Sequence, residues 1–103
     1  MAEINYHGGG PSKNFIARNA SRVLYARDER RKWLYIRNIS TAAGGAGATV
    51  TLQFGTNATA VSMRGVILRP WEVYECNTED NTQEEIHCVT DGNDALLSCH
   101  VGH

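Results

Sequence analysis

The chain has 103 residues, 42% of them apolar, and ten Lys/Arg against eleven Asp/Glu give a formal net charge of −1. That length holds one domain with a single core of two packed layers. The balanced charge excludes a global pull toward nucleic acid or an anionic membrane, and no stretch approaches the ~20 apolar residues of a membrane span.

Residues 1–13 carry Gly8-Gly9-Gly10-Pro11 and few apolar side chains, which predicts a flexible N-terminal arm ahead of one domain over 14–103. No basic segment followed by an apolar one opens the chain, so synthesis and folding in a cytosol are expected. A first strand is expected around Arg22–Arg27, and Asp28-Glu29-Arg30-Arg31 reads as a polar turn. In Lys32-Trp-Leu-Tyr-Ile-Arg-Asn-Ile-Ser40 every second residue is apolar, which predicts a half-buried strand. Leu34, Ile36 and Asn38 share its inward phase. Trp33, Tyr35 and Arg37 share the other, where two large aromatics suit either a covering second layer or a subunit contact.

Thr41–Gly47, rich in Gly and Ala, reads as a mobile hairpin loop. In Ala48–Gly55, Val50, Leu52 and Phe54 point inward, while Thr49, Thr51 and Gln53 point to solvent. Val66–Leu68 leads to Arg69-Pro70, where a proline without an N–H marks an edge or a turn. Trp71–Cys76 resumes extended structure. Asn77–Gln83 is a polar loop, and Glu85–Thr90 and Ala95–Val101 flank the turn Asp91-Gly92-Asn93-Asp94. About seven or eight short strands at regular spacing, with no helical period, predict an all-β fold: a small antiparallel β-sandwich or jelly roll.

No catalytic set emerges. A hairpin of the last two strands would bring His87, Cys88, Cys99 and His100 together, but alternation sends the thiols inward and the imidazoles outward, on opposite faces. A zinc site needs its ligands on one face, so no metal and no cofactor is expected. A Cys88–Cys99 disulfide is geometrically conceivable; buried free thiols, with Cys76 a third, fit a cytosolic protein. The carboxylates near Glu72–Glu85 read as a solvated loop, and the glycine runs match no phosphate-cradling motif. A strip for single-stranded nucleic acid is only sketched by Trp33, Tyr35 and Arg37, so no nucleic-acid partner is expected.

Arg31-Lys-Trp-Leu-Tyr-Ile-Arg-Asn-Ile-Ser40, then Val50-Thr-Leu-Gln-Phe-Gly55, then Gly65-Val-Ile-Leu-Arg-Pro-Trp-Glu72, with Glu85–Val89 and Ala95–Val101, set a pattern over about residues 20 to 103. In that pattern the chain resembles small virion proteins of tailed bacteriophages, particularly capsid decoration or cement proteins and related head and tail accessory modules. It departs from their usual form at Trp71, where a glycine commonly follows the proline. The resemblance implies a non-enzymatic structural protein, often a homotrimer, made in the bacterial host cytoplasm and seated on the virion's capsid surface against the major capsid protein. Ile4, Tyr6, Phe15, Trp33, Tyr35 and Trp71 are the expected capsid or subunit contacts. The alternatives are a tail or fibre accessory module, a carbohydrate-binding β-sandwich using Trp33, Tyr35 or Trp71 as a platform, and a small cupin-like metalloenzyme using His87 and His100.

Overall fold

Eight strands, β1 (Lys13–Ala17), β2 (Arg22–Tyr25), β3 (Trp33–Asn38), β4 (Val50–Phe54), β5 (Val66–Leu68), β6 (Val73–Cys76), β7 (Ile86–Thr90) and β8 (Ala95–Gly102), form two four-stranded antiparallel sheets. The structure, a computed structural model, describes residues 12–40, 48–55, 60–61, 64–77 and 83–103. One sheet runs β1-β8-β3-β6 and the other β2-β7-β4-β5. The chain thus pairs first strand with last, second with seventh, third with sixth and fourth with fifth. The β3–β8 and β4–β7 ladders fuse those pairs into the two sheets. This is the strand order of a jelly roll, one of the two all-β architectures that the strand pattern predicts.

Alternation makes the core. Leu34, Ile36 and Asn38 of β3, and Leu97, Cys99 and Val101 of β8, point between the sheets, as their phase requires. Val50, Leu52, Ile86 and Cys88 meet them from the opposite layer, and Phe54 packs half-buried against the same cluster. Fully burying a Leu, Ile or Val stabilises the fold by roughly 1.5–3 kcal/mol each. Gly65 precedes β5 at φ 148°, and a Cβ there would lie 2.3 Å from the Leu52 carbonyl oxygen. Only glycine lets this backbone approach β4 so closely.

Several expectations change. Lys13, the last residue of the expected arm, begins an additional strand, β1, which pairs with β8; the rest of the arm, with Ile4 and Tyr6, lies outside the described residues. The segments around β3 and β4 were expected to form a hairpin, but they lie in different sheets, and the loop 41–47 between them is outside the described residues. The hairpin of the last two strands, on which a His87, Cys88, Cys99 and His100 cluster would depend, does not form: β7 pairs with β2 and β4, and β8 with β1 and β3. Their short connection crosses between layers. Thr51 is 1% exposed and β7 is buried on both faces, so the outer surface of this sheet is buried along β7 and at Thr51, where solvent was expected.

Arg31 is a further correction, since it is 2% exposed rather than part of a solvated turn. Its Nη1 and Nη2 donate to the carbonyls of Ala26 (3.2 Å) and Glu84 (2.7 Å). Its guanidinium also lies over the Tyr25 ring, 5.2 Å from the centroid. Lys13 continues this stack, with Nζ 4.2 Å from the Tyr25 centroid and 5.2 Å from Phe15, while donating to the Leu24 carbonyl. Arg22 covers Phe15 at 4.8 Å. Cations and rings alternate along the seam between β1 and β2, where each cation is stabilised by a ring face and by carbonyl oxygens.

Candidate functional site

The two outer faces differ sharply. On the β2-β7-β4-β5 sheet Thr51, His87 and Val89 are buried. On the β1-β8-β3-β6 sheet Ile16, Leu96 and Val73 are exposed, with Trp71 in the turn before β6, whereas Val23 of β2 is the exposed large apolar strand residue of the other sheet. Ile16 and Leu96 are cross-strand partners, and Val73 lies opposite Arg37. An apolar area gathered on one face, with polar groups among it, marks a surface that another molecule covers.

The centre of this face is β3. Trp33 and Tyr35 project outward two residues apart, with ring centroids 6.2 Å apart and planes inclined by 27°. His100, the β8 partner of Tyr35, meets that ring edge-on at 5.5 Å. Its imidazole is placed by the hydroxyls of Ser12 (3.0 Å) and Ser98 (3.3 Å). The Trp33 indole N–H donates to Glu75 Oε2 at 3.0 Å, across the β3–β6 ladder. These side chains, with Arg37 and Ile39, line an open groove of about 480 Å³. The Trp33–Glu75 bond separates it from a second groove of about 520 Å³ bordered by Lys32, Asn77 and His103.

Trp71 stands at the rim. Pro70 and Trp71 are the central residues of a turn closed by the Glu72 N–H on the Arg69 carbonyl at 2.9 Å. Trp71 has φ 71°, the left-handed conformation that the third residue of a type II turn requires and that glycine ordinarily supplies. A non-glycine residue there costs roughly 1–2 kcal/mol. The indole is nonetheless 54% exposed, so little core burial offsets that cost. Its ring lies 5.7 Å from the Arg37 guanidinium, and the Arg37 Nε–H donates to the Trp71 carbonyl at 3.2 Å.

Asn38 holds this turn in place. Its backbone accepts from the Trp71 N–H at 2.5 Å and donates to the Glu72 carbonyl at 3.0 Å. Its fully buried side-chain amide donates to the carbonyls of Ala48 (2.8 Å) and Leu68 (2.9 Å) and accepts from the Ser40 N–H (3.1 Å). A buried amide with every group satisfied fixes its surroundings. The Trp71 turn is therefore rigid where it meets β3.

Of the expected contact residues, the structure brings Trp33, Tyr35 and Trp71 to one face. Phe15 lies on the other face of β1, half-buried against the core. Arg37, Ser98, His100 and Glu75 complete the face. Arg37 shares the outward phase of Trp33 and Tyr35, so alternation already pointed to it; placing Glu75 beside them needs the β3–β6 register, which sequence does not carry.

The expected catalytic candidates separate. His87, expected on an outer face with His100, is 8% exposed on the other sheet and is hydrogen-bonded to Glu85 Oε1 at 2.7 Å. Cys88 and Cys99 face the core as free thiols, and Cys76 is also free. Burial pushes the Cys88 thiol up to about 11 and the Cys99 thiol to about 12, the opposing pull of Arg22 and Lys13 on Cys88 and of Lys13 on Cys99 being smaller. Such thiols are poor nucleophiles near neutral pH. Among the described residues, no three His, Cys, Asp or Glu side chains gather to hold a metal ion. No family model matches this chain, and neither a curated protein nor a solved structure matches it.

Proposed function

We propose that the protein is a non-enzymatic attachment module that binds through the outer face of the β1-β8-β3-β6 sheet. As the sequence resemblance implies, its role would be that of a capsid decoration or cement protein docked on the major capsid protein of a tailed phage. The observation that carries the attachment role is Trp71. A half-exposed indole occupies a strained position where glycine costs nothing, beside two more outward aromatics. Aromatic anchors of this kind supply much of the energy of protein interfaces. Several copies, in the trimeric form the resemblance implies, would each hold several shell subunits, so detachment of one shell subunit would break many contacts.

The test is co-sedimentation with purified capsids that lack the protein. Wild type is expected to saturate a fixed number of sites. Trp33→Ala combined with Tyr35→Ala is expected to weaken binding by about thirtyfold or more, the effect of losing a hot spot worth about 2 kcal/mol. Wild-type affinity in that variant would rule this face out.

A glycan is the second occupant the face suits, because Trp33 and Tyr35 lie nearly side by side in a groove with hydroxyl and imidazole groups at its wall. Glycan-array binding by wild type that disappears in Trp71→Ala, without any capsid binding, would favour it.

A further inference from the structure

Arg37 imposes a chemical condition on whatever covers this face. Its Nε–H is satisfied by the Trp71 carbonyl, and the Trp71 ring covers one side of the guanidinium. Its Nη groups have no hydrogen-bond or ion-pair partner among the described residues. The nearby carboxylates are engaged elsewhere: Glu75 accepts from the Trp33 indole and Glu72 from the Arg69 N–H at 2.7 Å. His100, also in the groove, is bound to the two serine hydroxyls. In the free protein, water satisfies Arg37. An occupant that buries Trp71, Val73 and Tyr35 displaces that water, and a guanidinium buried without an acceptor is strongly unfavourable.

Resting on the attachment role proposed above, we infer that the docking segment is an acidic peptide stretch that sets an aspartate or glutamate on Arg37. Apolar side chains flank that carboxylate and cover Trp71 and Val73 on one side and Tyr35 on the other. Arg37 presents both Nη donors on a guanidinium already oriented by a carbonyl and a ring, which suits two parallel bonds to one carboxylate. The net charge of −1 supplies no general attraction for acids, so the preference is local to this cation.

An array of immobilised decapeptides tests it, each pair differing only in a central Asp or Glu against Asn or Gln between apolar flanks. Wild type should bind the acidic members at least tenfold more tightly, and less so as salt rises. Arg37→Gln should erase that preference, Arg37→Lys should restore part of it, and Trp71→Ala should weaken both members of each pair. Unchanged melting temperatures would show that the variants are folded. Equal binding of acid and amide members, binding to none, or a preference that survives Arg37→Gln would overturn the inference. So would tighter binding of polygalacturonate than of any peptide, which would place the carboxylate on a sugar. A wild-type dimer that Arg37→Gln dissolves would place a second copy there instead. A silent array combined with Trp71-dependent capsid binding would leave the attachment role standing; acid preference without capsid binding would do the reverse.

Discussion

Asn38 and Trp71 show how single residues divide between fold and contact. Asn38 satisfies five hydrogen-bonding groups in the interior. Asn38→Leu keeps the branching of the side chain but leaves the Ala48 and Leu68 carbonyls unpaired, so a loss of about 2–4 kcal/mol is expected in urea unfolding. Arg31→Ala should cost about 1–3 kcal/mol, because it strips two part-buried carbonyls of their donor and uncovers Tyr25. The core thiols set a limit at high pH. Their folded values, about 11 and 12, lie above the usual 9.0 of a free thiol, so the unfolded chain loses these protons first. Their contribution is complete below pH about 9 and is lost as pH rises toward 11 and 12. Melting temperatures should therefore fall above pH about 9, and the fall should be smaller in a Cys88→Ala, Cys99→Ala double variant; an equal fall in both would refute the assignment.

At the scale of elements, what could be read from sequence was whatever is local to one strand. The inward phases of β3 and β8, and Val50 and Leu52 in β4, follow from a period of two, and so does the outward trio Trp33, Tyr35 and Arg37. Partnering does not. Thr41–Gly47 has no side chain that distinguishes a hairpin from a crossing between sheets, and Asp91–Asp94 turns the chain equally well for either. A jelly roll sends successive strands into opposite layers at both places. That one fact separates His87 from His100 and removes the metal-binding alternative built on them. β7 shows a second limit, since Ile86 and Cys88 alternate as expected while His87 and Val89 are buried on the reverse face. Gly65 marks where β5 must approach β4. Gly65→Ala should cost about 2 kcal/mol or more, because a methyl 2.3 Å from a carbonyl oxygen forces the ladder apart; a melting curve matching wild type would show that the approach is not needed.

For the molecule as a whole, the meaningful asymmetry lies between its two outer faces. One is buried at Thr51, His87 and Val89; the other carries exposed aliphatic residues, three outward aromatics and an arginine whose Nη groups have no partner among the described residues. Jelly rolls serve in capsids, lectins and cupins alike, so architecture alone assigns no role, and the side chains on that face must do so. Trp71→Gly separates the alternatives most directly, because it relieves a left-handed tryptophan while deleting the indole. Measured together, its urea stability should stay within about 1 kcal/mol of wild type or rise, while its capsid occupancy collapses. A variant that binds capsids as wild type does, or that loses binding only because it unfolds, would contradict the assignment of this face.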